Sequence, residues 1–189
     1  MANQFPRIEP AHRAFIERQR VFFVSSAAQG ARVNLSPKGL NALRVLAPDR
    51  VAYVDLTGSG NETAAHLRAD GRLTLMFCAF EGPPLILRLY GRGRAMTRGS
   101  AGYAELLLAF GGDEPLGARQ IVALEVELVQ TSCGYGVPLF AYKGERPSLD
   151  RWAEAKGEEG LEAYRRENNA RSIDGLSTGL LEEEGAAAF

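Results

Sequence analysis

Residues 21–27 (VFFVSSA) run β-branched and aromatic up to the turn signal Gln29-Gly30, the pattern of a strand. Residues 32–38 (RVNLSPK) then alternate, with Arg32, Asn34, Ser36 and Lys38 on one face and Val33, Leu35 and Pro37 on the other. The two runs predict a hairpin with one polar face. Residues 50–57 (RVAYVDLT) predict a third strand, closed by Gly58-Ser59-Gly60. Two more are expected over 72–80 and 85–96, on either side of the turn Glu81-Gly82-Pro83-Pro84, and a long last one over 118–131. Helical spacing is found over 6–19, over 61–70 with Gly71 as the stop, over 103–110, and over 150–171 behind a cap at Ser148. Five or six strands with hairpin-length links exclude a parallel α/β sheet, whose crossovers need a dozen or more residues. An antiparallel barrel or sandwich follows.

The composition narrows the class. The chain has 189 residues, 46% of them hydrophobic, with 22 basic against 23 acidic side chains, as expected of one globular domain. A net charge of −1 without a basic tract gives no electrostatic footprint for nucleic acid or an anionic membrane, so neither is an expected partner. The most apolar stretch, 73–80, is far too short to span a bilayer, and the opening MANQFPRIEP lacks the apolar core of a signal peptide. A cytoplasmic protein is expected, with Cys78 and Cys133 as free thiols. Residues 1–142 are read as the β domain, 143–175 as its helical extension, and 176–189, rich in Gly, Ser and Glu, as a flexible tail.

Several catalytic templates fail. His12 and His66 are the only histidines, so no metal cluster assembles, and the nucleophile elbow, the P-loop and the Rossmann fingerprint are all absent. What remains is an anion site. Thr57, Gly58, Ser59, Asn61 and Thr63 run from a strand through a small-residue turn into a helix start, where free amides favour a phosphate. The plainer reading is that Ser59 or Asn61 caps the helix. The donor row Arg32, Asn34, Ser36 and Lys38, with no acid inside its own strand, adds to the phosphate reading. Arg88, Arg92 and Arg94 share another strand face, either as ligand contacts or as partners of Glu125 and Glu127. In QTSCGYGVP (130–138), the glycines beside Cys133 and Tyr135 allow backbone to approach a flat ligand, or simply close the barrel tightly.

The segments RVNLSPKG (32–39), VAYVDLTGSGNETAAHL (51–67), RLTLMFCAFEG (72–82) and ILRLYGRGRA (86–95), with SCGYGVP (132–138) and the SIDGL run (172–176), together resemble the pyridoxamine 5′-phosphate oxidase-like split-barrel family. The resemblance implies an α+β, mainly β fold: a six-stranded antiparallel Greek-key split barrel with flanking helices. It implies a homodimer with FMN at the subunit interface and hydride or electron transfer to or from a small-molecule substrate. Carried over residue by residue, the phosphate strand falls on Arg32, Asn34, Ser36 and Lys38, and the phosphate turn on Thr57, Gly58, Ser59, Asn61 and Thr63. Cys133 and Tyr135 are expected beside the flavin ring, and Arg88 is a further candidate cofactor contact. The family's vitamin B6 oxidases place a basic pair where this chain has Gly60-Asn61 and end in an Arg-x-His element, whereas no His follows His66 here. The resemblance therefore implies the cofactor rather than the B6 substrate. A non-catalytic flavin module, or a haem or deazaflavin ligand with His66 as the candidate haem ligand, are its alternatives.

Overall fold

A computed structural model describes residues 2–182, so residues 183–189 of the expected tail lie outside the described chain. In chain order the elements are β1 (Asn3–Phe5), α1 (Pro10–Arg18), β2 (Phe22–Ser26), β3 (Asn34–Lys38), β4 (Leu43–Ala47), β5 (Arg50–Leu56), α2 (Glu62–Ala69), β6 (Arg72–Cys78), β7 (Ile86–Thr97), α3 (Ala101–Leu107), β8 (Ala118–Ser132) and α4 (Ser148–Asn168). Every strand pairing is antiparallel. The order across the sheet is β3-β2-β6-β7-β8-β5-β4, with β1 on β8.

The described residues thus hold eight strands where six were expected. The two additions are short. β1 adds three residues to the edge of β8, and β4 follows a turn in which Leu40 and Asn41 both take left-handed backbone (φ 57° and 52°), a conformation that ordinary side chains seldom signal. The hydrogen-bonded path is open, yet the sheet curls on itself. Phe22 of β2 and Tyr53 of β5 have three strands between them in the order, but their rings meet at 5.6 Å. One core therefore fills the concave side: Val24, Val51, Tyr53, Leu75, Phe77, Leu87, Leu89 and Leu124 are all essentially inaccessible. A second, smaller cluster joins Val54, Ile121 and Ala123 on the outer side to Tyr103 of α3. β5 is buried on both faces as a result, which explains its near-continuous apolar run.

Beyond β8 the chain departs from its expectation in two places. Ser148 is the first helical residue of α4 rather than its cap, and Pro147 in front of it provides no capping side chain. α4 is interrupted at Gly157 (φ 63°), a left-handed break that folds Trp152 edge-on to Tyr164 at 5.1 Å. Residues 176–182, expected to fray, instead turn back on the domain. Ser172 and Thr178 are buried, and Arg171 bridges Ser177. No described helix is long and apolar enough to cross a membrane.

Candidate functional site

The polar face of β3 meets the end of β5 because the sheet curls. Between them lies a cleft of about 430 Å³, lined among others by Asn34, Ser36, Lys38, Asp55, Gly58, Ser59, Thr63 and Arg119. Its size is within the range of small-ligand sites. Asp55 is its electrostatic centre. The carboxylate is buried and accepts from Lys38 Nζ at 2.5 Å, Arg119 Nε at 3.0 Å and Gln120 Nε2 at 2.8 Å. Burial pushes its pKa up, but the charges of Arg119 and Lys38 and the hydrogen bonds from Lys38 and Gln120 outweigh it and hold the group at about 2.

A β-bulge brings two successive β8 side chains to this one carboxylate. Asp55 faces Gln120 while Leu56 faces Ala118, which leaves Arg119 as the extra residue on β8. A bulge breaks the alternation of faces, so Arg119 and Gln120 both reach Asp55. Two adjacent polar residues at the head of an apolar strand were the available signal in the sequence. Leu40, in its left-handed conformation, also lines the cleft, so local backbone strain is stored at the site.

Eight of the expected ligand residues line this cleft: Asn34, Ser36, Lys38, Thr57, Gly58, Ser59, Asn61 and Thr63. Two of them have structural work for their side chains. Thr57 Oγ1 donates to Gly117 O and accepts from Arg165 Nε, both at 2.8 Å, so its hydroxyl proton is committed. Asn61 accepts from Gln120 at 2.8 Å and donates to Asn169 O at 3.4 Å, and makes no side-chain cap to α2. The capping reading of Asn61 is thereby corrected. Asn34 Nδ2 donates to Thr63 Oγ1 at 3.0 Å, joining β3 to the first turn of α2 and leaving the Thr63 proton available.

The remaining four residues lie elsewhere. Arg32 precedes β3 and pairs with Asp174 of the C-terminal turn, through both its backbone N–H and its guanidinium. The donor row is neutralised after all, by acids distant in sequence: Asp174 for Arg32 and Asp55 for Lys38. Arg88 donates to Ser132 Oγ at 3.3 Å. Of the other two arginines on its strand, Arg92 faces Glu125 across the ladder but gives its hydrogen bond to Asp70 O at 2.6 Å. Cys133 is exposed and Tyr135 is 82% exposed, and neither lines this cleft.

Comparison with known proteins identifies the family. The family model for pyridoxamine 5′-phosphate oxidase matches residues 8–133. A curated relative, the pyridoxamine 5′-phosphate oxidase family protein ustO of Aspergillus flavus, is 42% identical over 175 residues, covering 84% of this chain and 70% of that protein. Two solved structures of HupZ from Group A Streptococcus superpose with TM-scores of 0.53 and 0.51 at 19% and 20% identity. They cover 66% and 64% of this chain and 99% and 91% of theirs. Likeness at that identity is one of fold.

Proposed function

The chain belongs to the pyridoxamine 5′-phosphate oxidase family, and on that premise we propose that it is an FMN-binding oxidoreductase acting on a small-molecule substrate. One observation carries the reading: a basic pair, Lys38 and Arg119, held on one buried carboxylate beside a glycine turn and a helix start. This donor set fits a phosphate monoester. Lys38 is the mobile member, on a flexible stem and about a quarter exposed, whereas Arg119 is locked between Asp55 and Asn169. Arg119 and Gln120 keep Asp55 paired when Lys38 turns to a ligand. Ser36, Ser59 and Thr63 supply hydroxyls, and the uncapped amides of α2 face the same anion.

The bound flavin supplies hydride or electron transfer, and the protein supplies position and electrostatics. The ring end is the incomplete part, because no aromatic side chain among the described residues lines the cleft. A second copy of the chain, its exposed Tyr135 loop laid over the cleft, would provide that wall, so the proposed unit is a homodimer of split barrels with shared sites. The haem reading has less support: His66, the side chain it needs, is 1% exposed and does not line the cleft, so its unpartnered Nε2 is enclosed in the protein rather than presented to a ligand.

The test is a visible spectrum of the purified protein followed by titration with FMN and riboflavin. A flavin spectrum is expected; a Soret band or a protein that takes up neither flavin would overturn the proposal. Lys38→Ala should weaken FMN by one to two decades, since a charge-assisted contact is worth roughly 1.5–3 kcal/mol, and leave riboflavin almost unchanged. Equal losses for both ligands would move Lys38 off the phosphate.

A further inference from the structure

We infer that the C-terminal segment 165–178 is the positioning element of the 57–63 turn, so that docking of this segment and binding of phosphate in the cleft form one coupled equilibrium. The inference rests on the phosphate reading above. It begins from what the turn lacks: Asn61 does not cap α2, and Gly58, Ser59 and Gly60 bring no bulk of their own to hold a shape.

The holding groups come from more than a hundred residues downstream. Asn169 is fully buried and works in two directions: its Nδ2 donates to Gly58 O at 2.9 Å, and its Oδ1 accepts from Arg119 Nη1 at 2.8 Å. The peptide following Gly58 is planar and trans, so fixing its oxygen toward Asn169 turns the Ser59 N–H to the opposite side. Ser59 lines the cleft and Asn169 does not. One amide side chain thus aims a backbone donor and braces the guanidinium of the same site.

Arg165 adds the second hold. Its Nε donates to Thr57 Oγ1 at 2.8 Å and its Nη2 to Ala118 O at 3.0 Å, while the Glu158 carboxylate stands off at 3.8 Å. A buried cation is here directed to the oxygens of the strand ends flanking the turn. Thr178 Oγ1 closes the assembly by donating to Asn169 O at 2.7 Å. Outside, Asp174 takes Arg32, and Glu62 at the start of α2 takes the Ile173 N–H at 3.1 Å. Coupling of this kind is reciprocal: a phosphate that needs the ordered turn must stabilise the docked segment by the same factor.

The experiment reads both ends of the coupling in Asn169→Ala. In ligand-free protein, amide exchange over 58–63 should accelerate about tenfold, the loss expected for one buried hydrogen bond, with β7 amides unchanged. FMN should weaken about tenfold and riboflavin less than about twofold. In the wild type, FMN should protect the bonds after Arg166 and Arg171 from trypsin. Unchanged exchange over 58–63, or equal weakening of both ligands, would overturn the inference. If the wild type binds no FMN, the phosphate reading fails while the exchange arm still decides the positioning role. Should Asn169→Ala not fold, Thr178→Val keeps the shape and removes only the clasp hydroxyl; it must show the same pattern at smaller size, and no change there overturns the inference.

Discussion

Asp55 organises the cleft by drawing three side chains onto one buried carboxylate. In RVAYVDLT it reads as one polar interruption of an apolar strand, and nothing within that strand reveals that Lys38, Arg119 and Gln120 converge on it. The donor row was legible because its alternation is local, whereas its counter-charges come from β5 and the C-terminal turn and depend on how the sheet curls. The consequence for pH has a definite sign. The folded pKa is depressed to about 2 from an ordinary 3.8, so the stabilisation is present above pH 4 and lost as pH falls toward 2. A shift of this size is worth about 2 kcal/mol. The urea midpoint should drop between pH 5 and pH 2.5 in the wild type. Asp55→Asn should remove that share of the drop and cost about 3–5 kcal/mol at neutral pH, because two cations lose their shared carboxylate. A variant with the wild-type pH slope would show that other carboxylates carry it.

At the scale of elements, the long strands were legible in their alternation and the short ones were not. β4 carries five residues of which only Val45 is buried, so its pattern holds no period. α4 was legible as helix but not as part of the site, since its many charges conceal one inward cation, Arg165, which is buried alongside the apolar Ala153 and Leu161. β7 was read correctly as a strand, but its two glycines have different jobs. A Cβ on Gly91 would meet β8 backbone, at 3.0 Å from Glu125 C and 3.1 Å from Glu127 N, at the register shift between Tyr90 and Gly91. A Cβ on Gly93 would meet only the ends of side chains, Leu73 Cδ2 at 2.7 Å and Leu67 Cδ2 at 2.8 Å. Side chains can rotate and a paired strand cannot. Gly93→Ala should therefore cost about 1–3 kcal/mol, and Gly91→Ala more. Thermal denaturation of the two variants checks the order, and a milder loss at Gly91 would mean that β8 yields there. Gly93→Ala should also loosen the cleft, because Leu67 belongs to α2, whose first turn carries Thr63.

For the whole molecule the question is what covers its exposed apolar surface. Leu35 is 64% exposed on the outward face of β3, whose inner face lines the cleft, and Val33 just before that strand is 71% exposed, while Tyr135, Leu139 and Phe140 stand out from the loop after β8. A net charge of −1 puts little repulsion in the way of self-association. If two chains share their clefts by a two-fold axis, Lys38 of one protomer and Tyr135 of the other serve the same site, and light scattering should give twice the 20.5 kDa chain mass. Mixing then discriminates where single variants do not. Lys38→Ala and Tyr135→Ala should each impair both sites of their own homodimer. In a mixed dimer one site receives both defects and the other receives neither. Random exchange makes half of the dimers mixed, so about one cleft in four should recover wild-type FMN affinity when two impaired proteins are unfolded and refolded together. A single-chain mass with full flavin occupancy would refute the shared site. So would a mixture no better than its parents despite exchange of subunits, since Tyr135 would then act, if at all, on its own protomer.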